Sequence, residues 1–159
     1  MTYCVNIDWL AIFCLYDSRQ SPDGEPVPRE WTPATRTGDE LGGVYDWQYT
    51  DEAYGTRQFS RLTRVTIPNE EGGRDDFAEV QSKPYSKIIN KDAMIVRFVN
   101  RALYMPDFWD MCDMFLKQNR LMFKSISRVD ICADFNQFAT YDPRKLIEEF
   151  ASKRLRHIG

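Results

Sequence analysis

Hydrophobic and polar positions alternate from the start of the chain. Tyr3, Val5, Ile7 and Trp9 fall on one side of an extended backbone, and Cys4, Asn6 and Asp8 on the other. From Leu10 both sides become apolar, with Leu10, Ile12 and Cys14 against Ala11, Phe13 and Leu15. The pattern predicts a long strand over 3–16 that enters the middle of a sheet. Residues 18–43 carry no period and include Pro22, Pro26, Pro28 and Pro33, so they predict an extended loop. Loops of that length in a compact domain tend to have a function.

Strand patterns return at 44–50 and 56–67, and Asn69-Glu-Glu-Gly-Gly-Arg-Asp predicts a turn. A short strand follows at 76–82, with Phe77, Glu79 and Gln81 on one face and Ala78 and Val80 on the other. Residues 93–104 read as another strand: Met94, Val96, Phe98 and Ala102 face one way, Arg97 and Arg101 the other. Two segments carry the helical period. Asp107 precedes Phe108, Met111, Cys112 and Phe115, and Asp142-Pro143 precedes Leu146, Ile147, Phe150 and Ala151. A long strand over 123–138 lies between them. Strands first, then helix, strand and helix, predict a single α+β domain with a mainly antiparallel central sheet and helices on one face.

Composition narrows the chemistry. A chain of 159 residues that is 43% hydrophobic can bury a core, so global disorder is excluded. No apolar run approaches the length needed to span a bilayer, and no membrane partner is expected. Cys4, Cys14, Cys112 and Cys132 are scattered without a CxxC pair, which fits reduced thiols in a cytoplasmic protein. The single histidine, His157, is the third residue from the sequence end. Histidine-ligated metal centres and Ser-His or Cys-His hydrolases are thereby excluded. Carboxylates, a cation they recruit, or a tyrosine remain. The net charge of −3 excludes an all-round basic surface and leaves room for a local basic face.

The segment Ser127-Arg-Val-Asp-Ile-Cys-Ala-Asp-Phe135 is the most informative. On a strand, Val129, Ile131, Ala133 and Phe135 share one face, and Arg128, Asp130, Cys132 and Asp134 the other. The acidic pair is expected within reach of one divalent cation, Mg²⁺ or Mn²⁺, with Glu79 as a third candidate ligand. The plain alternative is an exposed Arg–Asp pair on a solvated strand. Arg57, Arg61 and Arg64 interleave with Phe59 and Leu62, and Arg97 and Arg101 share a strand face; of these Arg57, Arg61, Arg97 and Arg101 are candidate DNA contacts, because guanidinium groups beside aromatics take phosphates and stack on bases. Arg128 joins them.

Asn6-Ile-Asp-Trp-Leu-Ala-Ile-Phe13 and Ile126-Ser-Arg-Val-Asp-Ile-Cys-Ala-Asp-Phe135 resemble the two most distinctive motifs of the Rep_trans replication initiation factors of plasmids, phages and conjugative elements. Phe77-Ala-Glu-Val-Gln81 corresponds to the acidic strand between them. The resemblance implies a rolling-circle-initiator-like fold and a domain that nicks one strand of origin DNA through a phosphotyrosyl intermediate. It implies Glu79, Asp130 and Asp134 as ligands of Mg²⁺ or Mn²⁺. The implied partners are origin DNA, single-stranded or as a hairpin, a second copy of the chain and a host helicase. The family's nucleophilic tyrosine lies well downstream of the second motif, so the chain is expected to be the N-terminal part of a longer initiator. A noncatalytic DNA-binding module, with the acidic pair as salt-bridge partners, is the alternative.

Overall fold

The structure, a computed structural model, describes residues 3–19, 27–33 and 46–135. The expected helix after Pro143, residues 136–138 of the expected strand and most of the 18–43 loop lie outside the described residues. The chain divides into two compact units, residues 7–130 and the two terminal segments 1–6 and 131–159. Nearly everything described belongs to the first.

That unit is built on a six-stranded sheet in the order β2-β3-β4-β5-β1-β6. Its strands are β1 (Tyr3–Tyr16), β2 (Gln48–Asp51), β3 (Phe59–Pro68), β4 (Arg74–Pro84), β5 (Ala93–Phe98) and β6 (Leu121–Phe135). Each pairing from β2 across to β1 is antiparallel. The amide of Asp17 donates to the Arg120 carbonyl at 2.9 Å, and Arg128 lies over Trp9, so β6 runs antiparallel to β1 as well. The expected α+β class with a mainly antiparallel sheet agrees with this arrangement.

One face of the sheet carries the core. Leu10, Ile12, Cys14 and Tyr16 on β1 align with Met94, Val96 and Phe98 on β5 and with Ala78 and Val80 on β4, all buried. Two helices, α1 (Asn100–Leu103) and α2 (Phe108–Gln118), add Ala102 and the stripe Phe108, Met111, Cys112 and Phe115, and the same buried cluster takes in Trp31 and Trp47. Asp107 stands at the start of α2, though its side chain makes no capping bond there.

Two expectations are corrected by the register. Simple alternation places Phe77 with Glu79, yet Phe77 is fully buried. The β3–β4 pairing shifts between Val65 and Thr66, where Val65 faces Ala78 and Thr66 faces Asp76. This bulge leaves Phe77 as the extra residue and turns it into the core. There it meets Trp47, Phe98, Phe108 and Phe115 at centroid distances of 4.8, 5.5, 6.2 and 5.8 Å. The strand expected over 93–104 ends at Phe98. Val99 donates its amide to the Phe77 carbonyl at 3.0 Å, and the chain then coils into α1, which brings Ala102 inward and takes Arg101 away from Arg97.

Local chemistry fixes the connections. In the β3–β4 turn, Asn69 Oδ1 accepts from the Gly73 amide at 2.8 Å and Gly72 adopts φ 79°, a value that suits a residue without Cβ. After α2, Arg120 takes φ 54°, the left-handed position that commonly closes a helix. Its guanidinium donates to the carbonyls of Asp17 and Arg19, both at 3.0 Å, which ties the start of β6 to the end of β1. On β6 the face expected to be buried is exposed at Phe123 and Val129, 52% and 40%, while Leu121 at the start of the strand is buried.

Candidate nucleic-acid interface

The candidate site is the sheet face opposite the core. Strand alternation puts Trp9 on this face, since Leu10 and Ile12 point into the core. Arg97 pairs in register with Ala11 on one side and Glu79 on the other, so all three share the face. Arg97 Nη2 binds Glu79 Oε1 at 2.7 Å. One strand further out, Arg64 stands opposite Glu79 and its Nη2 binds Glu52 Oε1 at 2.6 Å.

Trp9 is the centre of the arrangement. Its ring lies 4.7 Å from the Arg97 guanidinium carbon and 4.6 Å from that of Arg128. Because β1 lies between β5 and β6, the two guanidinium groups approach the indole from opposite sides. Such contacts each contribute about 0.5–1 kcal/mol at exposed sites. Arg128 in turn grips Asp130 with both arms, Nη2 to Oδ2 at 2.6 Å and Nε to Oδ1 at 3.1 Å. That fork holds the Asp130 carboxyl below the usual carboxylate range and raises the Arg128 guanidinium. The row therefore reads Glu79, Arg97, Trp9, Arg128, Asp130 across four strands, with aromatic and cationic groups alternating at its middle and carboxylates at its ends.

The sequence-predicted residues separate into two groups. Arg97 and Arg128 lie on this face. Arg61 does not: it points to the face of Thr63 and Val65, where it binds Asp51 Oδ2 at 2.7 Å and lies 5.6 Å from the Trp31 centroid. The even spacing of β3 sends Arg61 and Arg64 to opposite sides. Arg57 is exposed in the turn before β3. Arg101, on α1, binds Asp75 at 3.1 Å.

Two of the carboxylates expected to share a cation, Glu79 and Asp130, are not brought together. β5 and β1 separate Glu79 on β4 from Asp130 on β6, and three interstrand steps amount to roughly 14 Å. Direct ligation of one ion needs oxygens about 2.0–2.6 Å from it. The Asp134 side chain lies outside the described residues. Among the described residues, no group of three potential ligands converges.

The sequence showed Trp9 only as part of the first motif, without a contact role, and Arg64 only as one of the interleaved arginines, without its partner Glu52. The parity of Trp9 in β1 and of Arg128 in β6 was readable, but their adjacency depends on β6 inserting beside β1, which no local signal carries. Comparison with family models, with curated proteins and with solved structures returns no match.

Proposed function

We propose that the protein is a DNA-binding domain of a mobile-element replication initiator, and that a single strand lies on the open sheet face across Trp9, Arg97 and Arg128. One observation carries the reading. The three segments that resemble the initiator motifs, one each on β1, β4 and β6, contribute Trp9, Glu79 and the Arg128–Asp130 pair to one continuous row. Guanidinium groups held by an indole are preset for phosphate oxygens, because their planar forks match phosphate geometry and little side-chain freedom is left to lose. In this reading Glu79 and Asp130 are carboxylates that keep the arginines in place until the strand displaces them.

The test is anisotropy of a labelled single-stranded oligonucleotide of about 12 nucleotides, within the usual footprint of such surfaces. Asp130→Asn frees Arg128 and is expected to tighten binding about 3-fold or more, worth ~0.6 kcal/mol. Asp113→Asn, which removes the same charge from the exposed side of α2, serves as the control and changes affinity less. Weaker binding by Asp130→Asn would contradict the reading. Metal-dependent nicking makes the opposite demand on this carboxylate: Mn²⁺ affinity should disappear in Asp130→Asn. The present reading expects Mn²⁺ affinity to be the same in that variant and the wild type.

A further inference from the structure

Among the described residues β6 is the outermost strand of the sheet on its side, next to β1 alone. Every residue from Phe123 to Val129 is exposed, so neither face of this stretch is covered. Ile126 and Ile131 are 55% and 68% exposed beside it. A long, partly apolar edge of this kind is a template for another strand. Its backbone is available at alternate positions. The Arg120 carbonyl accepts from the Asp17 amide of β1. Main-chain groups of an antiparallel strand alternate sides, so even positions of β6 bond to β1 and odd positions, Val129 among them, point outward.

The order of charges along the strand says what fits there. The charged residues of β6 are Lys124, Arg128, Asp130 and Asp134. They stand symmetrically about Val129 and carry opposite signs across it. A copy of the strand laid antiparallel, with a twofold axis at Val129, sets position 128 opposite 130 and position 124 opposite 134. Every charge of the strand then faces its opposite, twice over by symmetry. An axis one residue earlier sets Arg128 against itself, and one residue later sets Asp130 against itself. About Val129 the odd positions face odd positions, so outward amides meet outward carbonyls. The even positions form the closer, non-hydrogen-bonded pairs, where opposite charges across a ladder stabilise it. Arg128 and Asp130 already form a fork within their own strand, yet both remain more than two-fifths exposed and can take a second partner.

We propose that the β6 edge pairs with the β6 edge of a second copy, antiparallel about Val129, into one sheet continuous through both chains. A foreign strand would have to carry the mirror order of these charges, and this strand carries it itself. The pairing goes beyond the proposed DNA interface and is tested without nucleic acid.

Sedimentation velocity of the full chain is expected to show a dimer that dissociates on dilution. Arg128→Asp and Asp130→Arg each set like charges against one another at two symmetric places, and each should weaken association about tenfold or more. Mixed together, the two variants should associate again, because one chain then holds only acids and the other only bases at these positions. Lys124→Glu, outside the Trp9 row, should weaken the dimer as well. The axis itself is read by oxidation. Val129→Cys should give a disulfide-linked dimer, since directly opposite residues of a hydrogen-bonded pair have Cα atoms about 5.5 Å apart, a separation that suits a disulfide. Ser127→Cys, whose counterpart is Ile131, should not link. A monomer at every concentration would overturn the proposal. So would a dimer indifferent to the charge variants, a mixture that fails to reassociate, or linkage through Ser127→Cys as ready as through Val129→Cys.

Discussion

At the scale of single residues, the protein places its charge in pairs whose titration is directional. The Asp17 carboxyl, bonded by the side chain and the amide of Arg19, is held down to about 2. Arg61 first, then the Thr63 hydroxyl, lower Asp51, and Arg128 lowers Asp130. Carboxylates depressed in the folded state contribute stability that is full above the ordinary value of 3.8 and is lost as pH falls through the depressed values. Circular dichroism should therefore show stability declining below about pH 4, and Asp51→Asn should flatten part of that decline. Stability that does not change down to pH 2 would contradict the pairing. The buried thiols act at the other end. Burial pushes Cys14 up to about 12 and Cys112 up to about 11, with the neighbouring Cys112 thiol adding to the first and the Asp113 carboxylate to the second. In the unfolded chain they ionise near 9, so stability is complete below that pH and is lost between 9 and 12. Alkylation followed by mass spectrometry should find both thiols protected at pH 8 in the native protein and reactive after denaturation.

At the scale of elements, the β3–β4 bulge matters most. It admits one aromatic ring, Phe77, between the sheet and both Phe108 and Phe115 of α2. Phe77→Ala should cost about 3–5 kcal/mol in denaturant unfolding, as large aromatic truncations in packed cores do. A cost below 1 kcal/mol would mean that Phe77 does not hold α2 to the sheet. This element also marks where the sequence could be read and where it could not. Strand β1, the helical stripe of α2 and the turn at Asn69 follow from periodicity and turn chemistry alone. The inward turn of Phe77 does not, because a one-residue register shift depends on the partner strand. The end of β5 at Phe98 was equally hidden, since Arg97 and Arg101 keep the alternating pattern while the backbone leaves the sheet at Val99. Of the candidate site, Arg97, Arg128 and Asp130 were legible as chemistry. Their neighbours were not, because sheet order decides which polar residues meet, and it parts Glu79 from Asp130.

At the scale of the whole molecule, a chain with net charge −3 must concentrate its positive groups to hold a polyanion. The sheet face opposite the core presents Arg64, Arg97 and Arg128, each beside a carboxylate that neutralises it, and the proposed strand would have to displace those carboxylates. Binding to a single strand should consequently weaken with salt. Each phosphate contact contributes about 0.7 to the slope of log K against log salt. Removing Arg97 and Arg128 together should reduce that slope by about 1.4. An unchanged slope would place the strand elsewhere.

The most direct measurement is a ¹H–¹⁵N correlation spectrum of the labelled protein titrated with the single-stranded oligonucleotide. The account predicts that the Trp9 indole N–H and the Arg97 and Arg128 side-chain N–H signals shift most, with smaller changes along β1, β5 and β6. Shifts confined to α2 and the helix-side residues, with the Trp9 indole unmoved, would contradict it.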